Sequence, residues 1–270
     1  MKTNRVLSRE KAASLDLQSR IKLEMELTDA NAQRFMSQSA QADWRFDTYR
    51  DRLPWRSHLF DFLGSLVGKT VLDLGCGYQP TPIYFALAGA RKVYACDVSP
   101  IAVAHVQEMA EAAGVADRVN ALVCAGEQLP FANEQIDIIH GEAVLHHLRL
   151  PLAGAEIARV LRHGGKAGFK DPLGHNRLLD LARDYLSYRW KASAKGTDRP
   201  LKFSDIEEFG RPFRVYTYRG FGLLSIVVVF IWGRGDSTAR KIADALDSYL
   251  LRTFPFLQQF CRFVVTCVEK

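Results

Sequence analysis

Between Lys69 and Pro172 the chain alternates short, almost wholly apolar runs with longer stretches whose apolar positions recur every three or four residues. Short continuous apolar runs read as strands buried on both faces, and the 3.6-residue period reads as helix. The pattern predicts strands in "TVLDLGC" (70–76), "KVYACDV" (92–98), "VNALVCAG" (119–126), "IDIIHGE" (136–142) and "KAGFKDP" (166–172). Helices fall between them over 81–90, 99–114 and 143–165, the last as one helix or two with a glycine stop. Thr81 and Ser99 are expected as N-caps, with Pro82 and Pro100 at the first helical positions. Strands joined by helical crossovers make a parallel, doubly wound α/β sheet.

The flanks read differently. Residues 8 to about 56 predict two or three helices, with Leu17, Ile21 and Met25 at helical spacing and Pro54 as a breaker. After Pro172 the alternation gives way to a helix and a basic loop (173–202). A short helix follows over 203–210, with a capping box formed by Ser204 and Glu207. A strand lies within 212–230, and an amphipathic helix over 237–254 carries Ile242, Leu246, Tyr249 and Leu250 on one face. The chain closes on a strand in "CRFVVTCVEK". The organisation expected is a helical N-terminal cap over 1–60 and a main α/β domain over 61–270, with cap or lid insertions at 175–210 and 221–257.

At 270 residues the chain has length for one large α/β domain with a full core. The first twenty residues are charged throughout and lack an apolar signal core. The longest apolar run, Phe221 to Trp232, has 12 residues against the ~20 a membrane-spanning helix needs. Five cysteines without a CxxC pair fit reduced thiols, hence a cytoplasmic location. Of these, Cys76, Cys96 and Cys124 stand near the ends of neighbouring strands, where a metal or redox cluster is conceivable and small residues filling tight space are the plainer reading. The net charge of +6 is uneven: +3 over 1–60, −5 over 61–150 and +8 over 151–270.

The chemistry concentrates in "VLDLGCGYQPTP" (71–82). Gly75 and Gly77 permit tight backbone and close approach of a ligand at the end of the first strand. A dinucleotide fingerprint would carry a third glycine where Pro80 stands. Asp73, inside the strand, would repel a pyrophosphate and attract an ammonium. Asp97 closes the second strand, a place from which a carboxylate accepts both hydroxyls of a ribose.

With "VLDLGCG", "VYACDVS", "EQLPF", "IDIIHGEAVLHHL" and "EIARVLRHGGKAGFKDP" in order and register, residues 65 to 172 resemble the class I S-adenosylmethionine-dependent methyltransferases, of the methyltransferase-11-like, small-molecule type. The resemblance implies a Rossmann-like, mostly parallel seven-stranded sheet with helices on both faces, with S-adenosyl-L-methionine as cofactor. By the same resemblance Asp73, Gly75, Cys76 and Gly77 hold the methionine end and Asp97 the ribose, with Val98 on the adenine. Gly126 and Glu127 line the adenine edge, and His140 and Gly141 lie under the sulfonium end. Two positions depart from the family: Gln79 replaces a frequent glycine, and Ala125 replaces a frequent aspartate that reaches the adenine amino group.

Methyl transfer from a sulfonium is an in-line displacement that needs alignment and exclusion of water, and a general base only where the nucleophile must lose a proton. Glu142, His146, Asp171 and His175 are the catalytic candidates; no metal site is expected. Outside the core, aromatics such as Trp44, Trp55, Tyr188 and Trp190 interleave with arginines and lysines. That mixture suits an apolar or flat acceptor with an anionic end, a single nucleic-acid strand or a membrane surface. The favoured acceptor is a natural product, lipid-like molecule or glycoconjugate, with peripheral membrane contact left open. The alternatives are protein or RNA methylation and an inactive cofactor-binding subunit; no nucleic-acid module motif is present.

Overall fold

The computed structural model describes residues 15–35, 45–174, 199–232 and 238–270. A first helix, α1 (Leu17–Phe35), is followed by α2 (Phe46–Asp51) and α3 (Pro54–Leu63). The alternating core then runs β1 (Thr70–Leu74), α4 (Thr81–Leu87), β2 (Lys92–Asp97), α5 (Pro100–Ala112), β3 (Val119–Val123) and β4 (Ile136–Glu142). A 3₁₀ turn (Leu145–His147) leads to α6 (Leu150–Val160) and β5 (Leu161–Pro172). The last third holds α7 (Phe203–Gly210), β6 (Val215–Phe221), α8 (Ser225–Trp232), α9 (Thr238–Thr253), a 3₁₀ turn (Pro255–Phe260) and β7 (Phe263–Glu269).

The seven strands form one sheet in the order β3-β2-β1-β4-β5-β7-β6. The first five are parallel, and β7 runs antiparallel to both β5 and β6. The expected fold class is therefore present. Each face of the sheet buries its own apolar cluster, one around Leu59, Phe60, Ile83 and Phe85, the other around Phe169, Ile157 and Phe209. The strand order reverses between β1 and β4, so their carboxyl ends flank the crevice where open α/β sheets bind ligands.

Local signals held unevenly. Ser99 caps α5 as expected, its hydroxyl accepting the Ala102 N–H at 3.0 Å. At α4 the cap is Pro80, so Thr81 and Pro82 are the first two helical residues. The capping box of α7 also shifts: the carboxylate of Asp205, not Glu207, accepts the N–H of Lys202 at 2.7 Å. β5 starts at Leu161, before the glycine stop, because the pairing jumps from Ile136–Leu161 to Ile138–Lys166 and the extra residues bulge around Gly164 at φ +71°. The apolar run 221–232 is divided: Phe221 ends β6, Gly222 turns at φ +77°, and Ser225–Trp232 is α8.

The largest departure is α9. Ile242, Leu246 and Tyr249, expected to face the core, are 57%, 48% and 58% exposed, while Ala243, Asp247 and Leu251 point inward. Asp247 explains the rotation. Its carboxylate accepts the N–H groups of Leu223, Leu224 and Ser225 and the Ser225 hydroxyl, at 2.7 to 3.2 Å. These are the donors at the start of α8 that lack an intrahelical partner.

Candidate active site

β1 is buried along its whole length and delivers Asp73 to the crevice. The register opposes Asp73 to His140 of β4, and His140 Nδ1 lies 2.6 Å from Asp73 Oδ1. Both side chains are almost completely buried. The imidazole is stacked on Phe60 at 5.8 Å and edge-on to Phe85 at 5.1 Å. Burial pushes the Asp73 carboxyl above its usual range, and the neighbouring imidazole opposes that rise. Asp73 Oδ2 and His140 Nε2 are buried with no hydrogen-bond partner.

After Asp73 the chain turns through Gly75 (φ +68°) and Gly77 (φ +52°). A Cβ on Gly75 would stand 2.6 Å from Val144 Cγ2 and 2.8 Å from its Cβ. At Gly77 nothing among the described residues lies within 4 Å of such an atom. The two glycines thus serve different ends: the first lets the β4 loop pack on the turn, the second leaves open space. Asp97 fixes the turn, its carboxylate accepting the N–H groups of Gly77 and Ser99, each at 2.9 Å. Burial raises the Asp97 carboxyl, and those backbone bonds oppose it. Gln79 is exposed and Tyr78 half-buried.

The remaining expected cofactor positions cluster at the same edge. Glu127 is buried, with Oε1 accepting the Arg149 N–H at 2.8 Å. Gly126 gives room to Leu148, and Gly141 to Phe169 and Val144. Ala125 is bridged to Gln128, whose N–H it accepts at 3.1 Å. The helix α1 reaches both sides of the crevice. Its Asp29 bonds Ser99 after β2, Glu24 lies 3.0 Å from His147 Nδ1 after β4, and Arg20 donates to the His147 carbonyl.

The catalytic candidates separate into two groups. His146 Nδ1 lies 2.7 Å from Asp171 Oδ1, which also accepts the His146 N–H at 3.2 Å. Glu142 instead sits between Lys170 (3.3 Å) and Arg56 (3.4 Å). Burial acts to raise the Glu142 carboxyl, but Lys170 and Arg56 outweigh it and hold the group below its usual range. Strand alternation puts Lys170 and Asp171 on opposite faces of β5, so the two groups do not meet. His175 lies outside the described residues.

Four of the five thiols are held in the protonated form. Cys96 is raised first by its hydrogen bond with Cys124 and then by burial, Cys76 by burial. Burial pushes Cys261 and Cys267 up to about 12. No metal-binding cluster exists among the described residues.

Beside Glu142 a cavity of about 410 Å³ opens at the carboxyl edge of the sheet, walled by Trp55, Phe221 and Phe263. Lys170 Nζ lies 4.0 Å from the Phe263 ring centre and 5.3 Å from that of Trp55. Arg52, Arg56, Lys170 and Arg262 were not singled out from the sequence. The signal available in the sequence is the arginine-rich stretch 45–56, which holds Arg52 and Arg56.

Residues 72–169 match the family described as "Methyltransferase domain". That span is a methyltransferase domain. A domain of this family takes its methyl group from S-adenosylmethionine. This methyltransferase domain is 37% identical over 98 residues to a probable protein arginine N-methyltransferase 6 of Arabidopsis thaliana, covering 36% of this chain and 21% of that one. It is 31% identical over 107 residues to a sarcosine/dimethylglycine N-methyltransferase of Aphanothece halophytica, covering 39% of each. The chain thus spans well under half the length of these relatives. Among solved structures, the geranyl diphosphate C-methyltransferase of Streptomyces coelicolor A3(2) superposes with a TM-score of 0.57 at 15% identity, over 79% of this chain and 77% of that one.

Proposed function

We propose that the protein transfers a methyl group from S-adenosylmethionine to a small molecule bound in the cavity beside Glu142. The observation that carries this reading is the cavity itself. Its volume of about 410 Å³ is in the range of small-ligand sites. It adjoins the β4 end of the β1–β4 crevice, through Glu142.

The residues present fit the cofactor. The unpartnered Asp73 Oδ2 is suited to its ammonium, and His140 holds that carboxylate in place from the other oxygen. The loop backbone at Gly75, Cys76 and Gly77 borders the methionine end, with the open space at Gly77 admitting it. Asp97, with lone pairs beyond the two it commits to backbone, takes the ribose hydroxyls. Val98, Gly126 and Glu127 border the adenine, and His140 and Gly141 underlie the sulfonium. α1 closes over this site as the N-terminal cap, and the α8–α9 segment closes the acceptor side.

The cofactor supplies an activated methyl group for in-line displacement. The chain's part is to align the acceptor and keep water away. Among the described candidates only Glu142 lines the cavity; held ionised by two cations, it is a weak base and a good hydrogen-bond acceptor for an acceptor hydroxyl or amine. The His146–Asp171 pair positions the loop after β4. An arginine-containing protein substrate fits less well, because its guanidinium would enter a cavity lined by five arginines and a lysine. The five unpaired thiols support a cytoplasmic setting, and no helix among the described residues is long and apolar enough to cross a membrane.

The test is calorimetric titration of S-adenosylhomocysteine, then an assay for its release from S-adenosylmethionine with small acceptors and with an arginine-rich peptide. Cofactor binding and turnover of a small acceptor are expected. Turnover of the peptide alone would overturn the acceptor class.

A further inference from the structure

Among its described lining residues, the cavity beside Glu142 holds more cations than carboxylates. Five arginines and Lys170 line it against Glu142, Asp244 and Asp247. Each carboxylate is already engaged. Glu142 is shared by Arg56 and Lys170. Asp244 lies 3.7 Å from Arg240. Asp247 is taken up by the N–H groups at the start of α8.

Arg52 and Arg219 are left with no carboxylate among the described residues. Arg52 ends α2 on one side of the cavity, and Arg219 comes from β6 on the other. The Arg219 guanidinium stands 5.2 Å from the Phe221 ring centre, which lies in turn 5.6 Å from the tilted His58 ring. Burial lowers the His58 pKa first, Arg219 adds to the lowering and Asp61 opposes it. Two guanidinium forks that no described carboxylate engages, set between flat aromatic walls, suit a doubly charged oxyanion on an apolar or aromatic body. A single carboxylate would leave more of that charge unopposed.

We propose that the acceptor is a phosphorylated small molecule, its phosphate held by Arg52 and Arg219 and its body lying on Trp55 and Phe263 toward Glu142. This rests on the reading of the cavity as the acceptor site. It does not need the cofactor's residues to be assigned correctly.

The test uses the full chain saturated with S-adenosylhomocysteine and calorimetric titration of phenyl phosphate, inorganic phosphate and phenol. Phenyl phosphate is expected to saturate a single site, inorganic phosphate to bind more weakly, and phenol weakest. The Arg52→Gln/Arg219→Gln variant should lose at least tenfold in phenyl phosphate affinity. Lysines at both positions should recover part of it. Arg211→Gln, at an exposed position outside the cavity, should match the parent protein. S-adenosylhomocysteine affinity should be the same in all of them, which also reports that the variants are folded. If S-adenosylhomocysteine binds and phenyl phosphate does not, or binds the double glutamine variant equally, the phosphate inference fails and the methyltransferase reading stands. If S-adenosylhomocysteine itself fails to bind the parent protein, the broader reading fails. Sedimentation with phosphatidic acid vesicles separates a lipid headgroup from a free ligand: arginine-dependent vesicle binding without phenyl phosphate binding overturns the small-molecule form.

Discussion

Replacing Gly75 and Gly77 singly by alanine should damage two different properties. At Gly75 the backbone is left-handed, φ +68°, which costs an L-residue roughly 1–2 kcal/mol. The new Cβ would also stand 2.6 Å and 2.8 Å from Val144 Cγ2 and Cβ. The second of these is no flexible tip that can swing away. Overpacking of this kind costs about 1–3 kcal/mol. Against both stands a gain of about 0.4–1 kcal/mol from the less disordered unfolded chain. The net is a loss of about 1–4.5 kcal/mol of folding stability. At Gly77 the backbone is also left-handed, φ +52°, but no described atom is within 4 Å, so the same balance leaves about 1 kcal/mol or less.

The affinities should run the other way. A methyl group at Gly77 enters the space the cofactor needs, and S-adenosylhomocysteine should bind at least tenfold more weakly, about 1.4 kcal/mol. Urea unfolding followed by tryptophan fluorescence gives the stabilities, and calorimetric titration at a temperature where both variants stay folded gives the affinities. Val144→Ala combined with Gly75→Ala removes one of the two clashes and should restore part of the lost stability. A Gly75→Ala protein within 1 kcal/mol of the parent would refute the packing argument. Parental affinity in Gly77→Ala would refute the view that the cofactor approaches there.

Three further outcomes follow from single side chains. Gln79→Gly should change S-adenosylhomocysteine affinity by less than about tenfold, since the side chain is exposed; a larger loss in titration would make Gln79 a cofactor contact. Glu142 has a folded pKa below its ordinary 4.5, so it contributes stability above that pH that is lost as pH falls through the folded value. Glu142→Gln should therefore flatten the acid limb of the stability–pH curve and leave its shape above pH 6 unchanged. Leu246→Ser, on the exposed side of α9, should cost under ~0.5 kcal/mol, whereas Leu251→Ala on the buried side should cost about 2–5 kcal/mol in urea unfolding.

The α9 result marks where sequence reasoning stops. The stripe Ile242, Leu246 and Tyr249 has the spacing of a core-facing surface, and nothing within the helix contradicts that. The orientation is decided 22 to 24 residues away, by three backbone donors at the start of α8 that need an acceptor and find Asp247. A leucine left at the surface loses its share of burial, about 1.5–3 kcal/mol. Across the three stripe residues that loss is offset by the three N–H groups and the Ser225 hydroxyl, each of which would cost about 1–3 kcal/mol unpaired, together with the burial of Leu251. The displaced caps at α4 and α7 are smaller instances, in which a neighbour one or two residues away had the better geometry.

The same division runs through the site. The glycine turn, the placement of Asp73 and Asp97 on the first two strands and the parallel, doubly wound sheet behind the crevice were legible, because each depends on residues close together in sequence or on a rule of parallel sheets. The pairings that set the chemistry were not. Asp73 meets His140 across 67 residues, Glu142 meets Arg56 across 86, and the cavity takes its walls from α3, β6, β7 and their neighbours. Motif spacing identifies a carboxylate but not its partner, and the partner determines what the carboxylate does. Read alone, Glu142 at the end of β4 is a candidate base. Between Lys170 and Arg56 it is a fixed negative charge, and the capacity left over in that cavity belongs to the arginines.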